Sequence, residues 1–372
     1  MEFNNLTRQY SLLKDSINQN IEDVLASGNF ILGNKVSELE KNISDFVGVK
    51  YSLGCSSGTD ALMLIFMALG VGKGDAIFCP DMTFIASIEP ACVLGATPIF
   101  CDIDSKTYNI SPKSLERQID AVIKEGILIP KAIVAVDFLG NPADYNSINA
   151  IADKYGLVLI EDGAQSMGAS FFSRKCGSLG KVAATSFYPS KPLGAYGDGG
   201  AVFTNDEYLY ELMKSIRVHG KGIDKYHNVR IGLNARLDEL QAAILLPKLD
   251  IIDNEIKIRQ EKAKIYEQGL NGKYNIPFVS EGSISSYAQY SIMTDSIKIR
   301  TELIERMKNN KIPTILYYPC PLHLMDVFKN SPVYGEKFEN AIDYSQRHIG
   351  IPFSPYISDE EQEKVMDVLL EE

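Results

Sequence analysis

The sequence predicts an α/β domain, with a largely parallel sheet covered by helices on both faces, followed by a smaller α+β domain. Short apolar runs alternate with helical segments through the first half of the chain, which is typical of such sheets. The chain has 372 residues, more than one ordinary domain needs. From about Leu237 the pattern changes to a long helix rich in Lys, Glu and Ile, and this change marks the second domain.

Two amphipathic helices are predicted before the first strand. Apolar residues at helical spacing cover residues 11–27, where Gly28 ends the helix, and again Val36–Val47, which Gly48 ends. Buried strands are predicted at Tyr51–Gly54, Ala76–Cys79, Pro98–Cys101, Ala132–Val136 and Leu157–Ile160. Helices are predicted between them at Thr59–Ala68, Ile85–Leu94, Pro112–Ile123 and Tyr145–Lys154. Ligands of such a domain bind beyond the carboxyl ends of the strands.

The long helical pattern of the second half runs from Leu237 to Leu270 and contains Pro247. A proline inside a helix predicts a kink or a division into two helices. We expect this segment to connect a large domain at residues 1–248 to a small domain at residues 249–372. The small domain is predicted to end in the helix Asp359–Leu370, with a serine as its N-cap.

Composition and charge exclude several classes of protein. A formal net charge of −11 without a basic cluster argues against nucleic-acid binding. The N-terminus lacks a signal-peptide pattern, and no apolar run approaches the roughly 20 residues that span a bilayer, so we expect no membrane partner. The six cysteines are scattered without a C-x-x-C pair, which favours a reduced, cytoplasmic protein. The four histidines lack metal-ligand spacing, so no metal site is predicted.

Lys191 is the most informative residue of the chain. It lies between Pro189 and Pro192 in an apolar, aromatic and glycine-rich segment, Thr185–Asp206. Desolvation disfavours the charged amine, and a neutral amine can attack a carbonyl to form a Schiff base. If that carbonyl belongs to pyridoxal phosphate, Lys191 identifies the cofactor. The alternative is a surface lysine whose charge reaches water.

Four other segments carry groups that such a cofactor requires, and each has a simpler interpretation. The turn Cys55–Leu62 before a helix suits a phosphate through Gly58 and Thr59, although it also fits an ordinary N-cap. Ser186, five residues before Lys191, can add a hydroxyl to the same phosphate. Asp162 ends a buried strand and can pair with a pyridine nitrogen, with Gln165 near the ring hydroxyl, or it can cap the next helix. Phe84 can stack on a flat ring or pack in the core. Asn234 and Arg236 can reach an anion, or they can be a helix cap and a surface arginine.

Together these segments resemble the sugar aminotransferases of the DegT/DnrJ/EryC1/StrS family, and the resemblance spans nearly the whole chain. The segments that carry it are S-G-T-D-A-L, P-D-M-T-F-I-A, V-D-F-L-G-N-P-A-D, I-E-D-G-A-Q-S-M-G-A, T-S-F-Y-P-S-K-P-L-G-A-Y-G-D-G-G, R-V-H-G, G-L-N-A-R-L-D-E-L-Q-A-A and Y-Y-P-C-P-L-H. The resemblance implies the aspartate-aminotransferase fold of pyridoxal-phosphate enzymes (type I), with a mainly parallel seven-stranded sheet in the large domain.

The resemblance also implies roles for individual residues. Lys191 would hold pyridoxal phosphate covalently and move the proton between cofactor and substrate, with pyridoxamine phosphate as the intermediate form of the cofactor. A further set of residues would contact the cofactor: Asp162 at the pyridine nitrogen, Gln165 at the ring hydroxyl, Phe84 against the ring, and Gly58, Thr59 and Ser186 at the phosphate. Asn234 and Arg236 would serve the neighbouring subunit's site, which implies a homodimer with shared active sites. Tyr317 and His323 would line the sugar-nucleotide pocket.

The implied reaction moves an amino group from L-glutamate to a keto sugar linked to a nucleotide diphosphate. The chain is most similar to the branch that makes UDP-2-acetamido-3-amino-2,3-dideoxy-glucuronate for surface polysaccharides, and amination would occur at C3. A dTDP-linked 3-keto-6-deoxyhexose and a C4 ketone remain alternatives. Two rival hypotheses are a sugar dehydratase, whose relatives carry histidine where Lys191 stands, and a non-catalytic regulator. The retained lysine, aspartate, glutamine and aromatic residue argue against both.

Overall fold

A computed structural model describes residues 1–224 and 226–371 of the chain. The strands within these residues are β1 (Tyr51–Cys55), β2 (Asp75–Pro80), β3 (Thr97–Cys101), β4 (Ile129–Val136), β5 (Val158–Asp162), β6 (Ser170–Phe171), β7 (Arg174–Lys175), β8 (Val182–Ser186), β9 (Gly200–Thr204), β10 (Ser283–Ile284), β11 (Tyr290–Met293) and β12 (His348–Ile351). All five strands predicted between residues 51 and 160 are present, and each begins or ends within three residues of its prediction.

The helices of the described residues are α1 (Leu6–Ser27), α2 (Asn34–Val47), α3 (Gly58–Ala68), α4 (Glu89–Val93), α5 (Pro112–Glu125), α6 (Tyr145–Tyr155), α7 (Glu207–Ile216), α8 (Glu239–Leu270), α9 (Ile297–Asn309), α10 (Glu339–Arg347) and α11 (Asp359–Leu370). The single helix predicted at Ile85–Leu94 is wrong, since a 3₁₀ turn at Ile85–Ser87 precedes the short α4. Pro90 has no N–H with which to bond the carbonyl of Ala86, so a continuous helix would lack that hydrogen bond.

A seven-stranded sheet in the order β1-β9-β8-β5-β4-β2-β3 forms the centre of the large domain. β9 runs antiparallel to both of its neighbours, and the other pairings are parallel. The strands are buried along nearly their whole length because helices cover both faces. The predicted mainly parallel, seven-stranded α/β architecture is therefore confirmed.

The small domain is built around the antiparallel pair β11 and β12. α9 and α11 pack on this pair, and the core between them includes Tyr266 from the end of α8. The predicted last helix and its cap are correct: Ser358 accepts a hydrogen bond from the Glu361 N–H, and the Glu361 side chain accepts one from the Ser358 N–H. This reciprocal arrangement is a capping box.

α8 is one continuous helix of 32 residues, so the predicted division into two helices at Pro247 is wrong. Proline has no N–H for the carbonyl four residues earlier, which here belongs to Ala243. The side chain of Asn20 on α1 donates a hydrogen bond of 3.1 Å to that carbonyl. A neighbouring helix thus replaces the hydrogen bond that the proline removes, and α8 passes through without a break.

The N-terminal segment, predicted as part of the large domain, also contacts the small domain. Arg8 donates hydrogen bonds to the Tyr356 carbonyl at 2.6 Å and to the Glu361 carboxylate at 2.7 Å. The domain boundary near residue 248 stays a prediction. Among the described residues, every helix is either too short or too polar to cross a bilayer.

Candidate active site

A cavity of about 510 Å³ lies at the carboxyl end of β5, beside the N-terminus of α3. This is the edge of the sheet at which ligands of α/β domains bind. Residues from separate segments of the chain meet in its wall, and eight of them are residues that the sequence analysis singled out: Gly58, Thr59, Phe84, Asp162, Gln165, Ser186, Lys191 and Tyr317.

Lys191 lies in the turn between β8 and β9 and lines the cavity. Its backbone N–H donates to the Tyr188 carbonyl at 2.9 Å, and the buried Lys248 amine donates to the Gly194 carbonyl of the same turn at 2.6 Å. Desolvation lowers the pKa of the Lys191 amine, while the Asp162 carboxylate opposes that shift. Lys191 is therefore not a surface lysine with a fully hydrated charge, and a neutral amine is accessible to it.

Asp162 is the last residue of β5 and is only 4% exposed. Its carboxylate accepts hydrogen bonds from the Ser87 hydroxyl at 2.6 Å and from the Ala164 N–H at 3.2 Å. Desolvation raises the pKa of this carboxyl, and the two hydrogen bonds and Lys191 lower it. The chain continues from Asp162 into a turn instead of a helix, so its interpretation as a helix N-cap is wrong.

The N-terminus of α3 forms the part of the cavity that suits an anion. The Ser57 side chain caps the helix by accepting from the Asp60 N–H at 3.0 Å. The amides of Gly58 and Thr59 lie in the first turn, where a helix offers no internal acceptor. A Cβ at Gly58 would lie 2.8 Å from the Cβ of Ser186, so glycine permits this close approach. A phosphate group suits amides and hydroxyls in this arrangement.

Aromatic and amide side chains form the remaining wall. Phe84 is 55% exposed, which contradicts its interpretation as a core residue. Its ring centroid lies 5.8 Å from that of Tyr318. The Gln165 side chain accepts from the Leu139 N–H at 2.6 Å, and its amide nitrogen donates to the Tyr318 hydroxyl at 3.4 Å. These contacts fix the amide of Gln165 so that its nitrogen is on the Tyr318 side.

Three residues from the sequence analysis lie outside the cavity wall. Asn234 and Arg236 bond each other, with the Arg236 Nε donating to the Asn234 Oδ1 at 2.8 Å. The His323 Nδ1 lies 2.6 Å from the carboxylate of the fully buried Asp81, and its ring stacks on Phe338 with centroids 4.2 Å apart. The segment that carries Tyr317 is thereby fixed to the end of β2.

The sequence analysis missed several residues of the cavity wall, among them Ser57, Thr83, Ser87, Tyr188, Gln289 and Tyr318. Tyr318 lies within the segment Y-Y-P-C-P-L-H, and Ser87 directly follows P-D-M-T-F-I-A, but no spacing rule shows which side chains there face the site. Gln289 precedes β11 and belongs to the small domain. Only the packing of that domain against the large one brings it to the cavity.

Comparison with known proteins gives a match to the model of the DegT/DnrJ/EryC1/StrS aminotransferase family over residues 12–370. A curated relative from Pseudomonas aeruginosa, UDP-2-acetamido-2-deoxy-3-oxo-D-glucuronate aminotransferase, is 43% identical over 96% of each chain. A second, dTDP-3-amino-3,6-dideoxy-alpha-D-galactopyranose transaminase from Aneurinibacillus thermoaerophilus, is 37% identical over 95% of this chain and 94% of its own.

A crystal structure of a DegT DnrJ EryC1 StrS aminotransferase from Brucella abortus superimposes on this chain with a TM-score of 0.97. It is 42% identical, and the match covers 99% of this chain and 98% of the other. The fold predicted from the sequence is thus found in a solved structure over nearly its full length.

Proposed function

Because the chain belongs to the DegT/DnrJ/EryC1/StrS aminotransferase family, we propose that it transfers the amino group of L-glutamate to C3 of a UDP-linked 2-acetamido-3-keto-hexuronate. The observation that carries this proposal is the presence of Lys191 and Asp162 in one cavity with the N-terminus of α3. The choice of sugar follows the relative from Pseudomonas aeruginosa. The product would be an amino sugar for surface-polysaccharide synthesis.

The residues of the cavity fit pyridoxal phosphate, the cofactor of this family of aminotransferases. Gly58, Thr59 and Ser186 offer amides and hydroxyls to a phosphate, and Ser186 can lie this close to Gly58 only because that residue has no Cβ. Asp162 offers a buried carboxylate to a protonated ring nitrogen. When bound, the cofactor supplies an electron-poor ring that stabilises negative charge on the reacting carbon.

Lys191 is the proposed attachment residue and proton carrier. Desolvation favours its neutral form, which can act as nucleophile and base, and the nearby Asp162 carboxylate stabilises the protonated form that follows. The amine can therefore accept a proton from the substrate carbon and return it to another atom within the same cavity. Gln165 and Phe84 are proposed to orient the ring against this amine.

The sugar-nucleotide side of the site is proposed to involve Tyr317, Arg236 and His323. Tyr317 lines the cavity, and burial raises the pKa of its phenol above the usual range, so it acts as a neutral hydrogen-bonding group. The imidazole of His323 is paired with Asp81, which makes it well suited to holding the Tyr317 segment in place. Arg236 has a positive charge that suits a carboxylate or a phosphate.

We propose a homodimer in which Asn234 and Arg236 complete the partner's site. Both residues lie outside the cavity of their own chain, and exposed apolar side chains such as Ile223 and Ile231, 97% and 85% exposed, occur in the segment before them. An exposed apolar segment of this kind favours burial against a second copy. We also propose a cytoplasmic location, since the six cysteines are all unpaired.

The amino-donor step is tested by adding L-glutamate to purified enzyme loaded with pyridoxal phosphate. The absorbance of the lysine-bound cofactor should disappear, and one molecule of 2-oxoglutarate should form for each cofactor converted. A panel of UDP- and dTDP-linked keto sugars then identifies the acceptor, with the position of the new amine read by NMR. An unchanged spectrum would refute transamination, and amination of a dTDP-linked sugar alone would refute the proposed acceptor.

The attachment residue is tested by Lys191→Ala, with Lys298→Ala as the control because Lys298 is an exposed lysine of α9. The first variant should bind the cofactor without covalent attachment and lose turnover, and the control should match the wild type. The shared site is tested by mixing Arg236→Ala with Lys191→Ala protein. Activity should reappear in the mixture; its absence after proven subunit exchange would refute the shared site.

A further inference from the structure

Gln289 is a buried amide in the wall of the active-site cavity. It is 7% exposed, and in the described part of the chain its Oε1 has no hydrogen-bond partner. The residue lines the 510 Å³ cavity together with Lys191 and Tyr317, and it also lines a small adjacent cavity of about 20 Å³. Buried side-chain carbonyls nearly always have a donor, so this one calls for an explanation.

The backbone around Gln289 is fixed by both domains. The Ser286 N–H donates to the Gly140 carbonyl at 2.9 Å, and the Ser286 hydroxyl donates to the Gln165 carbonyl at 2.7 Å. Arg259 of α8 donates to the Tyr287 carbonyl at 2.9 Å. Gln289 therefore has a preset position relative to Gln165, and a ligand does not have to order it.

The chemistry of the surrounding wall favours a sugar over an amino acid as the partner of this amide. Lys191 is the one cation among the described residues that line the cavity, and it is reserved for the reacting carbon. A carboxylate needs cations or several N–H donors, so the carboxylates of L-glutamate and of the uronate are both poor partners for the neutral amide of Gln289. Neutral amides and phenols bond hydroxyl and acetamido groups, which a nucleotide-linked amino sugar carries next to its reacting carbon.

We propose that Gln289 is a specificity-determining residue that hydrogen-bonds a donor on a ring carbon adjacent to the carbon being aminated. In a 2-acetamido-3-keto sugar, these donors are the acetamido N–H at C2 and the hydroxyl at C4. This inference rests on the proposed function and deepens it. The amide can present its carbonyl by turning about its last side-chain bond, which exchanges the positions of oxygen and nitrogen.

A structural role is the competing explanation. The Oδ1 of Asn141, a residue that also lines the small cavity, is unpaired as well, and 20 Å³ is enough for one water that bonds both amides. Under this explanation, removing either amide would change stability and leave sugar recognition intact. Asn141 does not line the larger cavity, so it provides a matched control.

The test uses Gln289→Met, which keeps the length of the side chain, and Asn141→Leu, both loaded with pyridoxal phosphate. Two half-reactions are followed separately by absorbance: bleaching by L-glutamate, and bleaching by the UDP-linked 2-acetamido-3-amino hexuronate, which runs the second half-reaction in reverse. Gln289→Met should lower kcat/KM for the sugar about tenfold or more, as expected for a lost hydrogen bond in a buried site, and change the glutamate value less than twofold. Asn141→Leu should change neither.

Substrate analogues make the test independent of any general damage in the variant. The 2-deoxy and 4-deoxy counterparts of the amino sugar are compared on wild type and on Gln289→Met. On the wild type, one of the two analogues should have a kcat/KM about tenfold lower than that of the full amino sugar. On Gln289→Met the same analogue should have the same kcat/KM as the full amino sugar, because both changes remove the same hydrogen bond. The proposal would be overturned if, for both analogues, the loss caused by the analogue and the loss caused by Gln289→Met were additive. It would also be overturned if Gln289→Met lowered kcat/KM equally in the glutamate and sugar half-reactions. If the wild type bleaches with glutamate but with no UDP-linked amino sugar, the proposed function fails instead.

Discussion

Replacing Ser87 by alanine tests whether the carboxylate of Asp162 is held ionised by its hydrogen bonds. The Ser87 hydroxyl donates to Asp162 at 2.6 Å in a site where both residues are nearly inaccessible, at 2% and 4% exposure. A hydrogen bond to a charged group contributes about 1.5–3 kcal/mol, against about 1 kcal/mol for one between neutral groups. Because the Ala164 N–H is the only other donor to this carboxylate among the described residues, the variant should lose most of that larger amount.

The pH dependence of the loss of stability in Ser87→Ala shows whether the Asp162 carboxyl is ionised. Burial already raises the pKa of Asp162 and the Ser87 bond lowers it, so Ser87→Ala should raise that pKa further. In the folded variant the carboxyl then holds its proton to higher pH than in the folded wild type. The stability deficit of the variant must therefore grow as pH rises and shrink as pH falls through these folded-state values.

The assay is urea unfolding of cofactor-free wild type and Ser87→Ala between pH 4 and 8, at one fixed protein concentration. We expect a deficit of about 2–3 kcal/mol at pH 8 that falls to about 1 kcal/mol at pH 4. Thr83→Val is the control, since Thr83 lies 2.8 Å from the Ser87 hydroxyl and does not bond Asp162 itself. A deficit that is the same at both pH values would refute an ionised Asp162.

Three further changes have expected outcomes that the same unfolding measurement checks. Gly140→Ala should destabilise the protein by about 2 kcal/mol or more, because a Cβ there would lie 2.1 Å from the Ser286 hydroxyl at a φ of +86°. Desolvation lowers the pKa of Lys248 to about 8, so this residue should make the stability rise from pH 8 towards 10.5, and Lys248→Met should make that rise smaller than in the wild type. Asn20→Ala should lower the free energy of unfolding by about 1 kcal/mol in the wild type. The loss should be smaller in a Pro247→Ala background, because residue 247 then has an N–H that can bond the Ala243 carbonyl. Equal losses in the two backgrounds would contradict the conclusion that Asn20 replaces the missing hydrogen bond.

The sequence predicted most of the elements because their signals are local. Alternating apolar runs and helical spacing were sufficient for β2 to β5 and for α5 and α6, and a serine before acidic residues was sufficient for the start of α11. Pro247 misled the prediction because the compensating group, Asn20, lies 223 residues from Ala243, whose carbonyl it bonds. Local rules cannot include a hydrogen bond that only the packing of two helices creates.

The residues of the candidate site also fall into those with a signal in the local sequence and those without one. Lys191 and Asp162 could be predicted because their residue types are unusual in their immediate surroundings, and the resemblance to a family then connected them. Ser87 could not, since a serine beside apolar residues is common and its importance comes from the Asp162 carboxylate at the end of β5. Gln289 reaches the cavity through the docking of the small domain, and nothing in its neighbours along the chain indicates this.

The unbroken course of α8 has a consequence for how the two domains can move. At 1.5 Å per residue its 32 residues form a rod of about 48 Å that crosses the predicted boundary at residue 248. One part of the rod holds the turn of Lys191 through Lys248, and a later part holds the segment before Gln289 through Arg259. α8 is continuous at Pro247, so both contacts lie on one helix. We therefore expect the turn of Lys191 and the segment before Gln289 to keep their separation when substrates bind.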